Sequence, residues 1–189
     1  YTEFHIAEIP DVLDRIITRY VRDDQIHLAS HRKDLEIYSP GLNESVLQDA
    51  FGPRLEQLQR IILIGEGSSF RDAQAVAPLF RHLLPDVNIA TFHPVEVLNL
   101  GEAVDPETDL VLEISWSGTT DSVLKTDGWL NEQGLMRLGV TGRPQSDLGR
   151  RTSASAGTLD VQSGEEISVA TVKGFESILM TLYLVALRL

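Results

Sequence analysis

Four consecutive apolar residues, Ile61-Ile62-Leu63-Ile64, run directly into Gly65-Glu66-Gly67-Ser68-Ser69, and no other stretch restricts the fold as much. A strand apolar at every position, rather than at every second one, must be covered on both faces, as interior strands of parallel sheets are. Phe70 to Leu84 follows with helical spacing, and the pattern then repeats. Val87 to Phe92, Asp109 to Ser115, Leu135 to Thr141 and Ala156 to Val161 read as four further strands. Helical stretches separate them at Asp121 to Gln133, with Gly134 as a stop, and at Ser146 to Arg150 after the Gly142-Arg143-Pro144 break. Thr171 to Leu189 reads as the last helix. Strands alternating with helices predict right-handed βαβ crossovers and a three-layer α/β/α fold around an open five-stranded parallel sheet.

Residues 1–59 read as a helical lead-in and residues 60–189 as the parallel α/β core, together one domain. In the lead-in, Val12, Leu13, Ile16, Ile17, Tyr20 and Val21 recur at helical spacing after Pro10. A second amphipathic stretch, Glu44 to Leu58, is interrupted by Gly52 and Pro53. There is no initiator Met and the last helix is still running at Leu189, which suggests a piece of a longer polypeptide.

Charge narrows the partners. A formal net charge of −12 repels phosphate backbones and anionic lipids, so neither nucleic acid nor a membrane surface is expected as a partner. The most apolar run, Ile178 to Leu187, is too short to cross a bilayer. The absence of cysteine removes thiolate chemistry and fits a reducing compartment; with no secretory leader visible, a cytoplasmic location is expected.

In open α/β sheets, ligands bind beyond the carboxyl ends of the strands. Three segments there have one character: Gly65-Glu66-Gly67-Ser68-Ser69, Ser115-Trp116-Ser117-Gly118-Thr119-Thr120 and Val169-Ala170-Thr171. Each precedes a helix and joins Ser or Thr hydroxyls to backbone N–H groups at a helix N-terminus, an anion site built without cations. Hydroxyls donate and accept, so they suit sugar hydroxyls as well as phosphate oxygens. Ser and Thr also cap helices regardless of function, but the middle segment holds four hydroxyls in six residues, more than capping requires.

Other chemistry fits less well. Gly65 and Gly67 begin a G-x-G, but Phe70 stands where a dinucleotide fold wants its third glycine, and Phe92-His93 stands where it wants an acid. No P-loop pattern is present. His27 and His31 lie four apart, yet nothing at a useful spacing completes a metal set, so they read as a solvated face and no metal is expected. His93 reads as a loop histidine. Trp116 either walls the pocket, packs on a partner or covers core. Glu66 reads as a local cap or ion-pair partner rather than a base.

At these segments the sequence resembles the sugar isomerase (SIS) family, most closely the first SIS half of the isomerase part of glutamine–fructose-6-phosphate aminotransferases. The resemblance rests on Glu66-Gly67-Ser68-Ser69, on Ser115-Trp116-Ser117-Gly118-Thr119-Thr120, and on Glu166-Ile167-Ser168-Val169-Ala170-Thr171-Val172-Lys173. It implies that Ser69, Ser115, Ser117 and Thr120 hold a phosphate with help from the Trp116 backbone, and that Ser68, Val169 and Thr171 face the sugar. It also implies a dimer, or pairing with a second SIS half. The residues that move protons in the family lie in that second half, so no catalytic residue is assigned here and no cofactor is called for. Trp116 stands where the family has a glutamine, and Glu66 where it has a small cysteine. The resemblance thus implies the phosphosugar-binding part of an isomerase, aminotransferase or deglycase. The alternative is a non-enzymatic SIS module that senses a sugar phosphate; a general nucleotide binder is a third reading, answering to ATP or NAD.

Overall fold

The computed structural model describes residues 2–22, 25–26, 57–99, 103–166 and 172–189. Among these, helices α1 (Thr2–Ala7) and α2 (Ile9–Tyr20) lead in, followed by two short antiparallel strands, β1 (Val21–Arg22) and β2 (Gln25–Ile26). The core then runs β3 (Arg60–Gly65), α3 (Ser68–Leu83), β4 (Asn88–Phe92), α4 (Pro94–Val97), β5 (Asp109–Ile114), α5 (Asp121–Glu132), β6 (Met136–Thr141), α6 (Asp147–Thr152), β7 (Gly157–Asp160) and α7 (Lys173–Arg188). Residues 44–56 of the second amphipathic stretch, together with His27 and His31, lie outside the described residues; Leu58, at its end, packs against the core.

β3 to β7 form one all-parallel sheet in the order β4-β3-β5-β6-β7, as the alternating pattern predicts. The five expected strands are all present, with ends shifted by a residue or two. Alternation splits each interior strand between two cores. Ile61 and Leu63 turn to one face, where α2, α3 and α7 bury Val12, Ile16, Tyr20, Val76, Phe80, Ile178, Leu182 and Val185. Ile62, Ile64 and Val111 turn to the other, against Val97 of α4 and Leu130 of α5. The unbroken apolar run of β3 is therefore explained by two dry faces rather than one.

The lead-in is fastened to the core by specific bonds. Tyr20 donates its hydroxyl to the Asp160 carbonyl at 2.7 Å, and Lys173 Nζ reaches Glu8 at 2.7 Å. Lys173, with His5 as a second donor, holds the Glu8 carboxyl below its usual range. The short α4 is not visible as a helix in the sequence; Glu96 starts it by accepting from the His93 amide at 2.7 Å.

Candidate functional site

The strand order fixes where a crevice opens. From β3 the chain crosses outward to β4, then returns past β3 to β5 and continues the other way, so β3 and β5 flank the topological switch point. The segments that leave these two strands, 65–69 and 115–120, face each other there. They are the first two of the three hydroxyl-bearing segments expected from sequence, and neither holds a Lys or Arg.

Ser68 and Ser69 are already helical, at the first two positions of α3, whereas the sequence pattern places the helix start at Phe70. Ser68 is exposed and Ser69 is buried. The segment after β5 is more tightly organised. Ser115 Oγ lies 3.0 Å from Thr120 Oγ1 and accepts from the Gly118 amide at 3.2 Å. Ser117 Oγ accepts from both the amide and the hydroxyl of Thr119, each at 3.2 Å. Gly118 sits at a φ of 62°, and a Cβ there would come within 1.8 Å of Ser146 Oγ, so only glycine lets this turn close on α6. The hydroxyls thus hold one another in pairs within a tight turn at the start of α5. Each retains donor or acceptor capacity for a ligand oxygen.

Glu66 crosses the switch point and accepts a hydrogen bond from Ser122 in the first turn of α5. Glu66 is thus neither the local cap nor the ion-pair partner expected from sequence, but a hydrogen-bond acceptor for a residue 56 positions away. Trp116, left open by the sequence, proves to cover core: its ring is partly buried against the main hydrophobic cluster, and Nε1 donates to Ser163 Oγ at 2.7 Å. His93 caps α4 and stacks on Phe70, with ring centroids 3.8 Å apart.

Only the flanks of the third segment are described. Val169 and Thr171 lie outside the described residues, but the N-terminus that follows them is not free. Glu166 Oε1 accepts from the Val172 amide at 2.6 Å, and its Oε2 accepts from Gly174 at 3.0 Å. A carboxylate of the chain itself therefore satisfies two of the α7 donors that the sequence pattern offers to a ligand, because the charge best suited to that helix end is already supplied from within.

Two buried acids escaped sequence reasoning. Asp72 lies on α3, one turn beyond Ser68, with neither oxygen hydrogen-bonded; burial, and then the Glu176 charge, push its carboxyl up to about 8. Glu113, two residues before Ser115 in β5, is likewise unbonded, and burial followed by the Asp127 charge raises it well above the usual range. Glu113, after Leu110-Val111-Leu112, looks like a patterning fault in sequence, and Asp72, beside Arg71 and Gln74, looks like a surface residue; only packing shows that both are enclosed. Among the described residues no group of three or more His, Cys, Asp or Glu could hold a metal, and no helix is long and apolar enough to cross a membrane.

Known proteins agree with this architecture. The isomerizing glutamine–fructose-6-phosphate aminotransferase of Gloeobacter violaceus is 29% identical over 163 residues, covering 79% of this chain and 26% of its own length. The chain thus spans about a quarter of that curated relative. The C-terminal domain of glucosamine-fructose-6-phosphate aminotransferase from Francisella tularensis has the same fold, with a TM-score of 0.77 at 19% identity over 97% of this chain and 45% of that one. The tagatose-6-phosphate ketose/aldose isomerase of Escherichia coli gives a TM-score of 0.71 at 18% identity, covering 94% of this chain and 45% of its own. The family profile described as the SIS domain matches residues 54–188, which takes in the whole sheet and both described hydroxyl segments. On that match, carried by the parallel core and its two opposed turns, the chain belongs to the SIS domain family.

Proposed function

We propose that the crevice between β3 and β5 binds a phosphorylated sugar, and that the chain is the phosphosugar-binding part of an isomerase, aminotransferase or deglycase. The observation that carries this reading is the turn after β5, which sets Ser115 against Thr120 and Ser117 against Thr119 at a helix start, across the switch point from Ser68 and Ser69. Such a turn grips a phosphoryl group with neutral donors and the positive end of the α5 dipole, which matters in a chain whose net charge is −12. Ser69, Ser115, Ser117 and Thr120, with the Trp116 amide, hold the phosphate; Ser68, Val169 and Thr171 face the sugar. The membership in the SIS family, and the sugar-phosphate names of its relatives, support this assignment.

Isomerisation at C1 and C2 needs an open-chain sugar fixed by its phosphate while a base shuttles a proton. This chain supplies the fixing. The proton transfer falls to a second SIS half, and a homodimer or pairing with such a half is the working assembly, in the cytoplasm. A calorimetric screen against fructose, glucose and glucosamine phosphates, with the unphosphorylated sugars as controls, tests the reading. Binding of the phosphates alone is expected, and Ser115→Ala should weaken it by about tenfold or more, the worth of one hydrogen bond to a charged group. Equal binding of phosphorylated and plain sugars, or of neither, sinks it.

A further inference from the structure

Trp116 sits in the phosphate turn by sequence, yet its side chain leaves that turn. The indole lies against two glycines, Gly142 after β6 and Gly174 in the first turn of α7. A Cβ on Gly142 would come 2.6 Å from Nε1, and one on Gly174 would come 2.8 Å from Cδ1. Nε1 donates to the fully buried Ser163, beyond β7, at 2.7 Å. The Arg143 guanidinium covers the outer face, 5.0 Å from the ring centre. The Trp116 carbonyl accepts from the Gly142 amide at 3.0 Å and from Thr141 Oγ1 at 3.2 Å. One residue therefore touches the segments leaving β5, β6 and β7 and the start of α7. Glu166, whose Oε2 lies 3.1 Å from the same Gly174 Cβ position, grips that helix start beside the indole.

We propose that Trp116 is a positioning residue that ties the hydroxyl turn after β5 to the start of α7, so that the phosphate grip and the helix end behind the sugar-facing segment are set together. Rigid contacts at both ends make this coupling mechanical. A ring packed against two glycines, covered by Arg143 and with its one polar atom bonded, is restrained in this position. The inference rests on the phosphosugar reading for its functional consequence, but the mechanical link stands on the contacts alone.

The test uses Trp116→Phe, which keeps an aromatic ring in the same space and leaves Ser163 free to bond the Gly164 carbonyl, already 3.3 Å away. Two quantities are measured against the parent chain. Amide hydrogen exchange at Val172 and Gly174 should quicken in the variant. The affinity for glucose 6-phosphate should fall about fivefold or more, a usual size for coupling between sites, while that for inorganic phosphate changes by less than about twofold. A purely structural role would weaken both ligands in parallel. The proposal requires both results, and either one missing overturns it. A parent chain that binds neither ligand overturns the phosphosugar reading instead, and the exchange rates then decide the mechanical claim.

Discussion

Asp72 illustrates how a single carboxyl makes stability depend on pH. It is enclosed between α3 and α7 with no hydrogen bond, facing Glu176, and its carboxyl is raised from 3.8 to about 8. Below pH 4 the folded and unfolded chains both hold this proton, and the group has no effect. Between pH 4 and 8 the unfolded chain releases it while the folded chain keeps it, so stability falls as pH rises; above about 8 the full penalty applies. Asp72→Asn keeps the shape and cannot ionise. Its melting temperature should match the parent at pH 4 and exceed it at pH 9, by about 2–4 °C for each kcal/mol relieved in a chain of this size. An equal shift at both pH values would show that the penalty is steric rather than electrostatic. Glu113, raised for the same first reason, should add to the slope in the parent.

At the scale of elements, the start of α7 shows how a helix end is completed from a distance. Glu166 stands six residues before Val172 in sequence, yet its two oxygens take the Val172 and Gly174 amides. Glu166→Ala should lower stability by about 1–2 kcal/mol, the worth of a good helix cap with its dipole interaction, and Glu166→Gln by less, since its one carbonyl oxygen still accepts. Denaturant midpoints check both, and an unaffected Ala variant would mean that water replaces the carboxylate without loss. The same element marks the boundary of what was legible beforehand. The strands of the sheet could be read because β3 and β5 must be apolar on both faces and because glycine and hydroxyl clusters punctuate their ends. The hydroxyl turn could be read for the same reason: Ser115, Ser117 and Thr120 are close in sequence, so local spacing already brings them together. The Trp116 ring between Gly142 and Gly174 and the enclosure of Asp72 are contacts across the sequence, and the grip of Glu166 on the start of α7, though only six to eight residues long, depends on the fold of the segment between them. Nothing in local spacing encodes them, and two of the three changed how the candidate site is understood.

For the whole molecule, charge sets the remaining expectation. The site, as proposed, draws an anion toward a chain of net charge −12 with no Lys or Arg in either described hydroxyl segment. Most anion sites weaken as salt is added, because a local cation is screened. Here the short-range attraction comes from amides and hydroxyls in direct contact with the ligand, which salt screens little, while the repulsion comes from charges spread over the surface, which salt screens well. The screening length shortens from about 30 Å at 0.01 M to about 10 Å at 0.1 M, less than the width of the domain, so most of that repulsion is removed over this range. Affinity for a hexose phosphate should therefore rise by about twofold as ionic strength increases through it, an effect carried mainly by faster association. Titrations at several sodium chloride concentrations measure the slope directly. A fall in affinity over the same range would mean that a cation contacts the phosphate after all, and a segment other than the turn after β5 would then have to supply it.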